Sequence, residues 1–269
     1  MAELSDLTKE FLQKIEDESS LNTLKAYKGD LGFLQKSFST FSQINESSLR
    51  DIRVKLIENY SPSTVSRRWS AWREFFRYCQ IVGVIRKNPI WEINVESFNK
   101  QREFQENLSD ELIEAICNFP SKIRDKALLW FLYSTGVRPS ELFQFGSFKN
   151  LNLAAKEFYV DNRITFLSEY LVDILEQYLV ERQLIMKTKT PGLNEAIFIN
   201  EQGQPLKETY IYTVFSQAAQ NLGLKSSVGD LRDSLMLRLY RNGASPEGLK
   251  YLLGFKSIKS IEPLLRSSK

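Results

Sequence analysis

The sequence predicts a mainly α-helical chain in two domains, the second with a small antiparallel sheet. Three observations carry this. Apolar residues recur at helical spacing over most of the 269 residues, most clearly where Val65, Trp69, Trp72, Phe76 and Cys79 follow at steps of four, three, four and three. After a break at Asn88-Pro89, residues 91–107 are polar and without a clean period, which divides the chain into a helical domain 1–87, a linker 88–107 and a second domain 108–269. Two short strand-like runs, 156–160 and 163–167, flank Asp161-Asn162, a tight-turn pair.

In the first domain Thr8 is placed to cap a helix carrying Phe11, Leu12 and Ile15. Ser20 or Asn22 starts a second helix, with Leu24, Tyr27, Leu31 and Leu34 on one side and Lys25 and Lys28 beside that stripe. Ser47 or Ser48 starts a third, through Ile52, Val54, Leu56 and Ile57. The fourth opens at Ser61-Pro62, serine as N-cap and proline at the first helical position. Its aromatic residues read as core, and Arg67, Arg68, Arg73 and Arg77 lie off their stripe.

The second domain opens with Ser109-Asp110 as a cap for Leu112, Ile113 and Ile116. An apolar helix over 125–134 ends at Gly136, and Pro139 opens another directly after Arg138. Beyond the hairpin, Ser168 starts a helix through Leu171, Ile174, Leu175 and Leu179. Residues 196–199 read as a further short strand, and 207–222 as a helix. The closing stretch, 228–266, carries Leu235, Met236 and Leu239 at helical spacing up to Gly243. Ser245-Pro246 then starts a short helix with Leu249, Leu252 and Leu253, which Gly254 ends.

Composition removes several chemistries. There is no histidine, hence neither the commonest general acid–base at neutral pH nor the commonest zinc ligand. Two cysteines alone make no structural zinc site; Cys79 and Cys117 read as buried, reduced thiols, which points to the cytoplasm. No apolar run reaches membrane-spanning length. Net charge is only +3, but 207–269 holds ten Lys and Arg against five Asp and Glu, so that end favours a polyanion partner.

Two motifs are specific. Residues 135–142 read Thr-Gly-Val-Arg-Pro-Ser-Glu-Leu. Farther on stand Asp230-Leu231-Arg232-Asp233, Asn242-Gly243 and Leu252-Leu253-Gly254. The first resembles the Thr-Gly-Leu-Arg-x-Ser-Glu-Leu motif of the tyrosine recombinases, the phage-integrase or Xer-like family. The second set resembles that family's closing frame: His-x-Leu-Arg-His, a helix and a Gly, a short helix ending Leu-Gly-His, then the nucleophilic Tyr. The resemblance implies a helical, SAM-like core-binding domain followed by a recombinase-type catalytic domain, gripping double-stranded DNA without a metal or cofactor. It implies that Arg138 and Arg232 hold the scissile phosphate, with Glu141 orienting Arg138, and that Lys25, Lys28, Arg67, Arg73 and Arg77 reach DNA from the first domain.

The residues that would do the chemistry depart from the frame. Gly229 stands at the first His position, Phe255 at the His of Leu-Gly-His, and Leu264 at the nucleophilic Tyr. The hairpin turn is reduced to Asp161-Asn162, without the tip that presents a Lys; Arg163 is the nearest cation, and a guanidinium holds its proton too tightly to donate it. Tyr251 reads as packed on its short helix, and Tyr240 lies on the preceding helix. Asp230 and Asp233 flank Arg232 and would compete with a phosphate for it. The expectation is a DNA-binding relative that cannot cut, acting as an accessory or regulatory partner of an active recombinase. The alternatives are a protein-interaction scaffold without DNA binding, and a working recombinase with another nucleophile.

Overall fold

A computed structural model describes residues 3–19, 21–91, 93, 108–189 and 194–266. They fall into two compact units, Met1–Glu103 and Phe104–Lys269, each with its own core. Most of the expected linker, residues 92 and 94–107, lies outside the described residues.

The first unit contains α1 (Leu4–Glu18), α2 (Leu21–Ser37), α3 (Glu46–Asn59) and α4 (Pro62–Ile81). α1 starts a turn before the expected cap at Thr8. Leu4 and Leu7 extend the buried stripe of Phe11, and the Thr8 hydroxyl donates back to the Leu4 carbonyl (2.7 Å) within the helix. The N-cap of α3 is Asn45, whose side chain accepts from the Ser48 amide (3.0 Å) while the Ser48 hydroxyl accepts from the Asn45 amide (3.0 Å). Its buried stripe is Leu49, Ile52 and Leu56, one turn apart, which leaves Val54 and Ile57 exposed. α4 follows the sequence reading: Ser61 caps it, and Val65, Trp69, Trp72, Phe76 and Cys79 are buried against Leu31, Leu34, Leu49 and Leu56. Ile90 and Ile93, assigned to the linker on sequence, are buried in this core. Asn88 sets the bend that returns them, donating to the Arg73 carbonyl (3.1 Å) and accepting from the Ile90 amide (3.0 Å).

The second unit contains α5 (Asp110–Asn118), α6 (Ile123–Thr135), α7 (Pro139–Phe145), β1 (Leu151–Asn152), β2 (Glu157–Val160), β3 (Arg163–Phe166), α8 (Glu169–Lys189), α9 (Glu208–Asn221), α10 (Val228–Arg241), α11 (Pro246–Leu253) and α12 (Glu262–Arg266). The sheet is antiparallel in the order β1-β2-β3, with Val160 opposite Arg163 and Phe158 opposite Thr165. β1 is two residues long, too short to leave a period in the sequence. The strand expected over 196–199 is two isolated bridges, Ser147 to Ala196 and Ile199 to Pro205. Side chains from α8 take the groups a ladder would use: Arg182 donates to the carbonyls of Asn194, Ala196 and Ile197, and the Tyr178 hydroxyl accepts from the Ile199 amide (3.0 Å). α6 runs through the core, with Ala127, Leu128, Leu129, Phe131 and Leu132 buried, and delivers the chain to the site at its C-terminal end.

Among the described residues no helix is long and apolar enough to cross a membrane, and no three His, Cys, Asp or Glu side chains gather as a metal site.

Candidate functional site

Three helix ends and one strand end meet in the second unit. Gly136 closes α6 in the left-handed conformation (φ 62°), and the chain turns through Arg138, the N-cap of α7. Gly254 closes α11 the same way (φ 64°). β3 begins at Arg163, and α10 supplies Arg232.

Glu141, one turn into α7, is the hub. Its Oε1 accepts from Arg138 Nη1 (2.8 Å). Its Oε2 accepts from the Arg138 amide (2.8 Å) and from Arg163 Nη2 (2.8 Å), with Arg232 Nη1 at 4.0 Å. Arg232 is 9% exposed and donates to the Gly136 and Leu253 carbonyls. Arg163, 7% exposed, donates from Nε to the Leu252 carbonyl (3.1 Å). Arg138 is the outer member: it is 41% exposed, and its Nη2 donates to the Gly254 carbonyl at 3.3 Å. The Phe255 ring lies 4.6 Å from the Arg232 guanidinium and 5.8 Å from that of Arg138.

Three guanidinium groups therefore share one carboxylate. Burial pushes the Arg232 pKa down to about 10, and the neighbouring Arg138 adds to this while Glu141 opposes it. Burial pushes Glu141 up, but the bonds from Arg163 and the Arg138 amide and the two cationic charges outweigh it, so its carboxyl stays below the usual range. Such a site can hold an anion at Arg138, where a fork with free capacity faces solvent.

The family models match this architecture from end to end. The phage integrase family model covers residues 102–266, and the N-terminal SAM-like domain of phage integrases covers 8–80. The chain belongs to the phage integrase family. Among relatives, the tyrosine recombinase XerC of Thermodesulfovibrio yellowstonii is 27% identical over 93% of this chain and 87% of its own length. XerC of Oceanobacillus iheyensis is 29% identical over 94% and 88%. The Tn1549 transposon integrase, solved in complex with transposon right end DNA, shares the fold with a TM-score of 0.78 at 16% identity, covering 98% of this chain and 94% of that one. The mainly helical class and the family resemblance read from the two arginine motifs both hold.

Within this integrase fold the three departing positions are all described. Gly229 is exposed in the first turn of α10, where an added Cβ would meet only the Ser227 hydroxyl, at 3.5 Å. Phe255 lies against the arginines, and Leu264 on α12 packs against the core. Tyr240 packs against the core, but Tyr251, expected to be packed, is 63% exposed: α11 buries Leu249 and Leu253, which turns position 251 outward. Asp230 does not compete for Arg232, because its carboxylate caps α10, accepting from the Ser227 amide (2.6 Å) and hydroxyl (3.1 Å). Asp233 does favour the charged form of Arg232, less strongly than Glu141 does.

In the SAM-like unit Lys25, Lys28 and Arg77 are exposed, Arg77 beside Glu74 (3.1 Å). Arg73 is half-buried. Arg67 is half-exposed but paired with the buried carboxylate of Asp30 on α2. Arg68 is structural: its guanidinium lies over the Phe33 and Tyr60 rings at 4.4 and 4.0 Å, with Asp30 at 3.4 Å. The residue that sequence reasoning left out of the site is Arg163. Its signal was present in the hairpin register, where an arginine occupies the inward position shared with Thr165.

Proposed function

We propose that this chain is a duplex-DNA-binding member of the phage integrase family that has lost strand-cleavage chemistry and serves an active recombinase as an accessory or regulatory partner. The observation that carries the reading is the cluster of three guanidiniums around Glu141, with Arg138 open to solvent and Phe255 against it, in a chain that has Gly229 and Leu264 at the other departing positions. Arg138, the exposed member of the cluster, suits the oxygens of one phosphate, and the exposed Lys25, Lys28 and Arg77 suit further backbone phosphates. Relatives with this frame are named tyrosine recombinases, and a neighbour of the same fold is described in complex with DNA, which supports duplex DNA as the ligand.

Strand cleavage needs a nucleophile at phosphorus, a base to deprotonate it and an acid for the leaving oxygen. Leu264 has no hydroxyl, and Gly229 and Phe255 carry no titratable group. Each absent acid or base costs roughly two to four orders of magnitude, and the absent nucleophile removes the step. Arg163, which follows the shortened turn, faces Glu141 and Leu252.

One observation favours a second reading. Tyr251 exposes its side chain three residues before Gly254, whose carbonyl accepts from Arg138. A hydroxyl there makes Tyr251 the candidate nucleophile of a working recombinase.

The test is a gel-shift titration on random duplex together with incubation on supercoiled plasmid, analysed on denaturing gels. Salt-sensitive binding without nicking or a covalent adduct is expected, and Leu264→Tyr alone restores neither, since Gly229 and Phe255 still leave the hydroxyl without a base. A wild-type adduct that Tyr251→Phe abolishes would establish the second reading. No binding at low salt would leave a protein-interaction scaffold.

A further inference from the structure

Arg163 belongs to this cluster, and its guanidinium is the most enclosed in it. Nη2 holds Glu141 Oε2 at 2.8 Å, and Nε holds the Leu252 carbonyl at 3.1 Å. Gly254 lies so close over it that a Cβ there would stand 2.6 Å from Nη1 and 2.8 Å from Cζ. A single planar group thus fastens the start of β3 to α7 and to the last turn of α11. Those are the two segments that contact Arg138, through Glu141 Oε1 and through the Gly254 carbonyl.

We propose that Arg163 is the positioning residue of the anion site: by occupying Oε2 of Glu141 and the end of α11 it fixes Oε1 and the Gly254 carbonyl, which aim the Arg138 fork outward. The inference rests on the DNA-binding reading. Two features of the geometry separate this role from that of a mere staple. Arg163 is enclosed, so it makes no contact with DNA itself. Its two acceptors lie in the same two segments that hold Arg138, the exposed member of the cluster, so its effect on an anion passes through Arg138.

The experiment is a double-mutant cycle of Arg163→Gln and Arg138→Ala, read as affinity for random duplex per folded molecule over a range of salt. Arg163→Gln is expected to weaken binding about tenfold, the loss of one charge-assisted contact, and to flatten the log–log salt slope by about 0.9. Adding it to Arg138→Ala is expected to cost nothing more. Arg163→Lys serves if the glutamine variant does not fold: an ammonium keeps the charge but cannot span both acceptors, so the same loss is expected. An unchanged affinity and slope with a lowered Tm, or a loss that adds in full to that of Arg138→Ala, would overturn the proposal. If wild type binds no duplex, the DNA reading fails by itself, and inorganic phosphate becomes the probe. Thermal stabilisation by phosphate that either Arg138→Ala or Arg163→Gln removes would sustain Arg163 as the positioning residue. No phosphate effect in wild type, or one that survives Arg163→Gln, would overturn it.

Discussion

Glu141 accepts from Arg138 and Arg163 at once, and its charge is what lets these guanidiniums share a partly enclosed space. Its carboxyl lies below the ordinary value of 4.5 in the folded chain. The unfolded chain therefore binds that proton more tightly, and the stability Glu141 contributes is complete above pH 4.5 and lost as pH falls through the folded-state value. Glu141→Gln is expected to lower Tm at pH 7 and to reduce its fall between pH 5 and about 3, followed by circular dichroism. Arg138, the most exposed of the three guanidiniums, is expected to behave differently. Arg138→Ala leaves Tm nearly unchanged and weakens duplex binding about tenfold, the size of one charge-assisted contact. Asp233→Asn removes a negative charge beside Arg232 and is expected to tighten binding two- to threefold, about 0.5 kcal/mol. Unchanged affinity in both variants would place the site off the DNA.

At the scale of elements, α10 keeps its first turn intact with a glycine in it. Gly229 sits in its first turn, where an added Cβ would make only an ordinary contact with the Ser227 hydroxyl, and the end is secured by the Ser227–Asp230 cap. Nothing in the backbone there requires glycine, so Gly229→Ala is expected to stabilise the fold by about 0.5–1 kcal/mol, a rise in Tm measurable by calorimetry. Gly254 contrasts with it, since its left-handed backbone and the Arg163 guanidinium both exclude a side chain. In the first unit α4 carries the core, and its register was plain from the aromatic spacing. The neighbouring α3 was harder to read. Four apolar residues suggested a broad stripe, yet the helix buries only those one turn apart, and Leu49 supplies the member that the sequence reading passed over.

At the scale of the whole molecule, weak net charge is compatible with DNA binding only if the cations gather where phosphates run. If about six phosphates are neutralised, the log–log salt slope of duplex affinity is expected near −5. Fluorescence anisotropy across 50–300 mM salt reads it directly, and a flat response would count against a DNA clamp. Arg68 adds little to that slope because it is enclosed by Phe33, Tyr60 and Asp30; Arg68→Ala is expected to lower stability rather than DNA affinity.

The sequence by itself determined the helical class, the helices on either side of the hairpin, and the family, because periodicity, caps and two motifs are local properties of neighbouring residues. It also singled out Arg138, Glu141 and Arg232, through two motifs that resemble those of the family. Only the tertiary structure decided what these residues touch. Arg163 joins the site from a strand 22 residues away from Glu141 in sequence, and its other acceptor lies 89 residues away, separations over which no local pattern operates. Asp230 differs: it looked like a competitor for Arg232 and instead caps its own helix through Ser227, three residues away, a local signal that competed with the motif, whereas Tyr251, which looked packed, faces outward. Which side of a short helix is buried depends on what the rest of the chain lays against it.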